Sequence, residues 1–254
     1  MKPHTIDDFL ALGGPSRVIA HRGFSGRAPE NTLSAFGKAI EAGADMIELD
    51  VRESKDGELV VIHESDLSRT TNGSGRVGNL TAVALKRLDA GASFSAEFAG
   101  ERIPTLSQVF DMVRGKILLN VEIKTDVVTL EIVTEKVLAL IHRCEMRDQV
   151  ILSSFDPRAL SHSRKIDREV KTASLYNEQL HRGRSLVEIM EQVGSVAFNL
   201  RHDQVNVDIV AMYHEHGRPI AVYTVNRPAQ MRTLLDLKVD ALFTDRPDLM
   251  IGLM

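Results

Sequence analysis

Between His21 and His63 the chain gathers two histidines, an arginine and two alternating carboxylates: HRGFSGRAPENTLSAFGKAIEAGADMIELDVRESKDGELVVIH. Glu48 and Asp50 alternate within the apolar run MIELDV, so a strand there sends both carboxylates to one face, about 6.5–7 Å apart along the backbone. Two negative charges that close raise each other's pKa, and a divalent cation between them removes that penalty. Imidazole titrates near neutrality and can both take and give a proton. The Arg22 guanidinium can fork two donors onto a phosphate in a way lysine cannot match. This inventory suits metal-assisted cleavage of a phosphate ester. The plainer reading of the same carboxylates is a closed ionic network with Arg22, Arg52 or Lys124, and a lone histidine at a strand end is more often structural, so the grouping carries the argument.

Elements must hold these groups in place, and the chain supplies a regular set. Eight short β-branched or apolar runs alternate with amphipathic helical patterns: Arg17 to His21, Met46 to Val51, Ile117 to Ile123, Val150 to Ser154, Lys171 to Tyr176, Val196 to Leu200, Ile220 to Val225 and Ala241 to Thr244. Eight strand–helix units in 254 residues predict a (β/α)8 TIM barrel as a single domain over residues 1–254. Asn31 or Thr32 caps the helix LSAFGKAIEAG, which Gly43 ends, and Asp156-Pro157 opens PRALSHSRKI. A Gly-, Ser-, Thr- and Asn-rich segment at approximately 64–102, preceded by the hairpin-like KDGELVVIH, breaks the rhythm and reads as a small insertion after the second strand. Barrel enzymes carry their chemistry at the carboxyl ends of the strands. Polar residues collect there: His21, Glu48 and Asp50, Glu122 and Lys124, Ser154, Asn199 and Asn226.

Glu48, Asp50 and Glu122 form an all-oxygen donor set, suited to one Mg²⁺ or Ca²⁺, and no His/Cys cluster has zinc spacing. Lys124, two residues after Glu122, shares its face and can add charge toward a phosphate or fix a metal carboxylate. A net charge of −4 with scattered Lys and Arg gives no field for a nucleic-acid backbone. The one cysteine, Cys144, reads as a plain helix thiol and fits a reducing cytoplasm. The acidic start MKPHTIDDFLALGG lacks the form of a signal peptide, and nowhere do eighteen apolar residues run together, so cytoplasmic residence without stable membrane insertion is expected. No apolar stripe points to an oligomeric state.

At these residues the sequence closely resembles the glycerophosphodiester phosphodiesterase family. The resemblance spans nearly the whole chain: HRG at His21 to Gly23, PENT at Pro29 to Thr32, ELDV at Glu48 to Val51, KDGELVVIHE at Lys55 to Glu64, LSRTTNGSG at Leu67 to Gly75, LDAG at Leu88 to Gly91, GERIPTL at Gly100 to Leu106, VEIK at Val121 to Lys124, VYTVN at Val222 to Asn226 and FTDRPD at Phe243 to Asp248. It implies a metal-dependent barrel hydrolysing small-molecule glycerophosphodiesters to glycerol 3-phosphate and an alcohol. His21 and His63 would be general acid and base, in an order left open, Glu48, Asp50 and Glu122 the metal ligands, and Arg22, Lys124 and Tyr223 would contact substrate. Tyr223 replaces the family's usual tryptophan and Glu64 its usual aspartate. The first exchange keeps an aromatic face with a polar tip but shrinks it.

Two other readings differ in class: a phospholipase D-like hydrolase of lysophospholipids, which needs an apolar groove, and a non-catalytic barrel paralogue, against which the complete residue set stands. Asn31 is read as a helix cap before a support for the site. Gly73, Gly75 and Gly78 spell G-x-G-x-x-G without a preceding strand, so no dinucleotide site is expected. His214 and His216 read as solvated partners of a helix dipole, and Phe94 and Phe98 as packing for the insertion before a wall of the alcohol pocket.

Overall fold

The computed structural model describes residues 2–124, 130–176, 183 and 186–254. Among them nine strands form one sheet: β1 (Arg17–His21), β2 (Met46–Glu53), β3 (Leu59–Val61), β4 (Leu118–Ile123), β5 (Val150–Ser154), β6 (Lys171–Leu175), β7 (Ala197–Arg201), β8 (Ile220–Tyr223) and β9 (Ala241–Thr244). Eight are parallel and close on themselves, since β1 pairs with both β9 and β2, while β3 lies antiparallel beside β2. This is the expected (β/α)8 barrel. The ninth strand is the return arm of the KDGELVVIH hairpin, turned at Gly57, whose φ of +84° is open to glycine without strain. It pairs Glu53 with Leu59 and Val51 with Val61, so β2 runs two residues past Val51.

Several other boundaries shift. The third barrel strand begins at Leu118, the fifth ends at Leu175, the sixth runs Ala197–Arg201 and the seventh stops at Tyr223. Backbone pairing, which sets these limits, is invisible to an apolar run.

The period of two divides each strand between two cores. On β2, Ile47, Leu49 and Val51 pack outward with Leu119, Val121 and Ile123 of β4 against the helices, while Met46 and Leu118 join an inner cluster with Ile19, Ile151 and Phe243. The short helix Ile6–Leu10 closes the lower end of the barrel by adding Ile6 and Phe9 to that inner cluster. Above this apolar layer the same inward positions turn polar: His21 is level with Glu48, Glu48 with Asn120, and Asp50 with Glu122.

Thr32 caps the helix Leu33–Ala42 through Ala35 N–H, and Gly43 ends it in the left-handed region at φ +90°. Asp156 caps the helix Pro157–Ile166. Between β3 and β4 the chain builds a small cluster of its own, with Val60, Ile62, Leu67, Val77, Leu85 and Ile103 buried together. Cys144 is a buried free thiol. Among the described residues no helix is long and apolar enough to cross a membrane.

Candidate active site

At the carboxyl ends of the strands, His21, Arg22, Glu48, His63, Glu122, Lys124 and Tyr223 line one pocket of about 160 Å³. Its first wall depends on an unusual local backbone. Arg22 (φ +55°) and Asn31 (φ +59°) both adopt the left-handed conformation that non-glycine residues avoid. At Arg22 its own N–H is thereby brought to Glu48 Oε2 at 2.9 Å. Gly23 follows because a Cβ there would lie 2.7 Å from the Ala35 backbone carbon of the next helix. The glycine of HRG thus lets that helix approach the strand end.

Glu48, Asp50 and Glu122 are all buried, and one oxygen from each can be chosen so that the three lie within 4.8 Å of one another. Lys124 Nζ hydrogen-bonds Glu122 Oε1 and lies 3.0 Å from Asp50 Oδ1, while Arg22 Nε is 3.4 Å from Asp50 Oδ2. Burial opposes ionisation of Asp50, yet Lys124 and then Arg22 outweigh it and hold this carboxyl far below the usual range. Glu48 goes the other way, pushed up to about 8 by burial and by the neighbouring Asp50 charge. Burial also raises Glu122. Three carboxylates thus stand where only part of their charge is balanced, and no hydrogen bond reaches Asp50 Oδ1. A hard divalent cation fits this oxygen-only set, because it would offset the crowding that raises Glu48.

Each histidine has a carboxylate behind it. His21 Nδ1 bonds Asp245 Oδ1 at 2.7 Å, and His63 Nδ1 bonds Glu64 Oε1 at 2.9 Å. With Nδ1 so engaged, Nε2 of each ring is the nitrogen left for exchange. Burial would lower the His21 pKa, but the Asp245 hydrogen bond and the Glu48 charge outweigh it and hold the ring above its ordinary value. For His63 burial prevails and the value falls. Asp245 is itself fixed by Ser25 Oγ at 3.0 Å and by the Asn226 side-chain amide at 2.5 Å.

The ionic network expected of these carboxylates is present in part, with Arg22 and Lys124 both on Asp50. The Arg22 guanidinium reaches Glu30 (2.9 Å) and the edge of Asp50, with neither Glu48 nor Glu122 as a side-chain partner, and Arg69 grips Glu30 from the other side at 2.7 and 2.8 Å. Tyr223 lines the pocket, meets Phe155 and Phe243 in T-shaped contacts, and donates its hydroxyl to the Tyr176 carbonyl.

Some sequence expectations are corrected and others hold. Asn31 is not the helix cap, which is Thr32: its amide donates to Asp50 Oδ2 at 2.8 Å and its carbonyl accepts Asp50 N–H at 3.3 Å. Asn31→Gly keeps the left-handed backbone and removes only the amide, and should cost about 1.5–3 kcal/mol, the range for a hydrogen bond to a buried charge, in urea unfolding. Ser154 does end β5, but its Oγ donates to the Ile123 carbonyl at the end of β4, and Ser153 is the serine that lines the pocket. Asn199 lies lower in the barrel and is not on the pocket wall; its amide nitrogen finds no partner. His214 bonds Asp240 at 2.8 Å, whereas His216 caps the Met212 carbonyl. Phe94 and Phe98 meet edge to face at 5.6 Å outside this pocket. Asp245, Asn226, Ser25 and Glu30 had no assigned role. Asp245 directly follows β9, so the strand-end rule that singled out the others points to it as well.

The profile of the Glycerophosphoryl diester phosphodiesterase family matches residues 21–249. A glycerophosphodiester phosphodiesterase of Caldanaerobacter subterraneus subsp. tengcongensis is 40% identical over 239 residues, covering 93% of this chain and 96% of that protein. Another protein of that name, from Bacillus altitudinis, is 37% identical over 235 residues, covering 92% and 96%. Among solved structures, an Oleispira antarctica phosphodiesterase in complex with the product sn-glycerol-3-phosphate matches with a TM-score of 0.88 at 28% identity, covering 94% of this chain and 96% of that one.

Proposed function

The chain belongs to the glycerophosphoryl diester phosphodiesterase family, and on that premise we propose that it hydrolyses glycerophosphodiesters to sn-glycerol 3-phosphate and an alcohol with one Mg²⁺ or Ca²⁺ bound. The observation that carries this reading is the convergence of two histidine–carboxylate pairs, Arg22 and a buried acidic triad on one small pocket.

Glu48, Asp50 and Glu122 would hold the cation. When bound, it supplies Lewis-acid charge to a phosphoryl oxygen and balances the triad. The remaining work falls to the chain's own groups. Arg22 and Lys124 place positive charge at the phosphate, whose own negative charge otherwise repels an incoming oxygen. One imidazole takes the proton of the attacking hydroxyl through Nε2, and the other returns a proton to the departing alkoxide, so the alcohol leaves neutral. Asp245 and Glu64 hold the two rings in the orientation and tautomer this exchange needs. Glu30 and Asp50 keep the Arg22 guanidinium over the site. Phe155, Tyr223 and Phe243 supply an apolar side on which the carbon skeleton of the glycerol rests.

The test is release of glycerol 3-phosphate from glycerophosphocholine and glycerophosphoethanolamine by chelated protein with Mg²⁺ or Ca²⁺ added back. Metal-restored release is expected. Folded protein that turns over neither diester with either ion would refute the reading.

A further inference from the structure

A second basin, about 470 Å³ against about 160 Å³ for the catalytic pocket, opens beside it. Lys124 lines both, so the two share a wall. The basin is built by elements fastened together. Lys55 N–H donates to the Leu80 carbonyl and Val77 N–H to the Ser65 carbonyl, both at 2.9 Å, which clamps the turn 76–80 of the insertion over the end of β2. Ala82 N–H on Asp56 Oδ1 at 2.8 Å holds the far side. Arg52 joins the basin to the catalytic wall, since its Nε donates to the His63 carbonyl at 2.8 Å.

The charge of this lining is one-sided. Among the described residues it carries Arg52, Lys55, Arg76 and Lys124, of which Lys124 is paired with Glu122 and Asp50 and Arg76 lies near Asp66, and its one carboxylate, Glu53, is bound by Lys136. Ser54, Ser65 and Asn79 add neutral polar groups. The chain as a whole has a net charge of −4, so four cations around one concavity stand against the average. A cleft of one sign concentrates ligands of the other. The position matters as much as the sign: the basin meets the catalytic pocket at Lys124, so an alcohol that leaves the small pocket past Lys124 enters it.

Resting on the phosphodiesterase reading above, we propose that the basin is the subsite for the leaving alcohol, and that it selects glycerophosphodiesters whose alcohol bears a further anionic group such as a phosphomonoester. Lys55 and Arg76, on the rim away from the reacting phosphate, set this preference.

The experiment compares kcat/KM for glycerophosphoglycerol with that for the same diester phosphorylated on its distal glycerol, in the metal-loaded protein and in Lys55→Glu and Arg76→Gln. The wild type is expected to favour the phosphorylated diester by about tenfold, and less as salt is raised. Lys55→Glu should erase that preference while the neutral diester turns over as before, which also shows that the variant is folded; Arg76→Gln should reduce it. Equal turnover of both diesters by the wild type, or a preference that survives both substitutions, overturns the subsite and leaves the phosphodiesterase reading standing. Failure to cleave either diester by protein that turns over glycerophosphocholine would also overturn the subsite, whereas failure on all three would sink the phosphodiesterase reading and the subsite with it.

Discussion

His21→Ala and His63→Ala are each expected to lower kcat by about 10²–10⁴, the usual contribution of a positioned acid or base, while the cation still raises the melting temperature. The separation of the two readouts follows from the geometry. Neither imidazole belongs to the acidic triad, and each is tied to a carboxylate outside it, Asp245 or Glu64. Deleting a ring thus removes a proton carrier and leaves Glu48, Asp50 and Glu122 in place. Turnover retained in both variants would end the two-histidine assignment, and a lost metal response in either would show that the ring binds the ion.

Glu48→Gln should also lower turnover, by at least about 10² because charge stabilisation by a bound ion is worth several kcal/mol, yet with a gain in stability of the chelated protein at pH 8. The sign comes from linkage. Burial and Asp50 lift Glu48 from 4.5 to about 8, so between those values the folded chain holds a proton that the unfolded chain has released. Its contribution is fully present below pH 4.5 and is lost as pH rises through 8. Glu122 and His21, also raised, work in the same direction, His63 works against them, and Asp50, held low, is ionised throughout this window. Chelated wild-type protein should therefore melt lower at pH 8 than at pH 5, by on the order of 5–10 °C. Mg²⁺ or Ca²⁺ should close the gap and release protons on binding, and Glu48→Gln should flatten the profile. A chelated wild type whose melting temperature rises from pH 5 to pH 8 would contradict the charge crowding described for the triad.

The alternation Met46, Glu48, Asp50 against Ile47, Leu49, Val51 was legible because a strand with one apolar and one polar face has a period of two whatever it packs against. The eightfold recurrence of such runs carried the barrel for the same reason. Pairings across the closure were not legible in this way. His21 and Asp245 lie 224 residues apart and meet only because β9 returns beside β1. Asn31 was misread for a related cause: at the sequence level its amide suits a helix cap as well as a distant carboxylate, and only the left-handed turn at φ +59° decides between them. The Tyr223 hydroxyl, expected as a polar tip for the pocket, is claimed by a backbone carbonyl from another strand–helix unit. Asn199 fell below the pocket because its strand runs on two residues past it, to Arg201.

The insertion leaves and rejoins the barrel at neighbouring rungs: Val61 N–H bonds the Pro104 carbonyl at 2.9 Å, and Val60 bridges Thr105. Its two ends are thus held together by the sheet itself, so loop closure is settled before the intervening chain is ordered. Lengthening or shortening such a loop changes its closure entropy only logarithmically, about 0.6 kcal/mol for each doubling. The barrel and its acidic triad are insulated from what happens between those rungs. Relatives could redraw the basin's outer rim by insertion, deletion or exchange within residues 70–102, past Glu64 and Arg69, and change which alcohols are accepted, with the strand-end chemistry inherited intact.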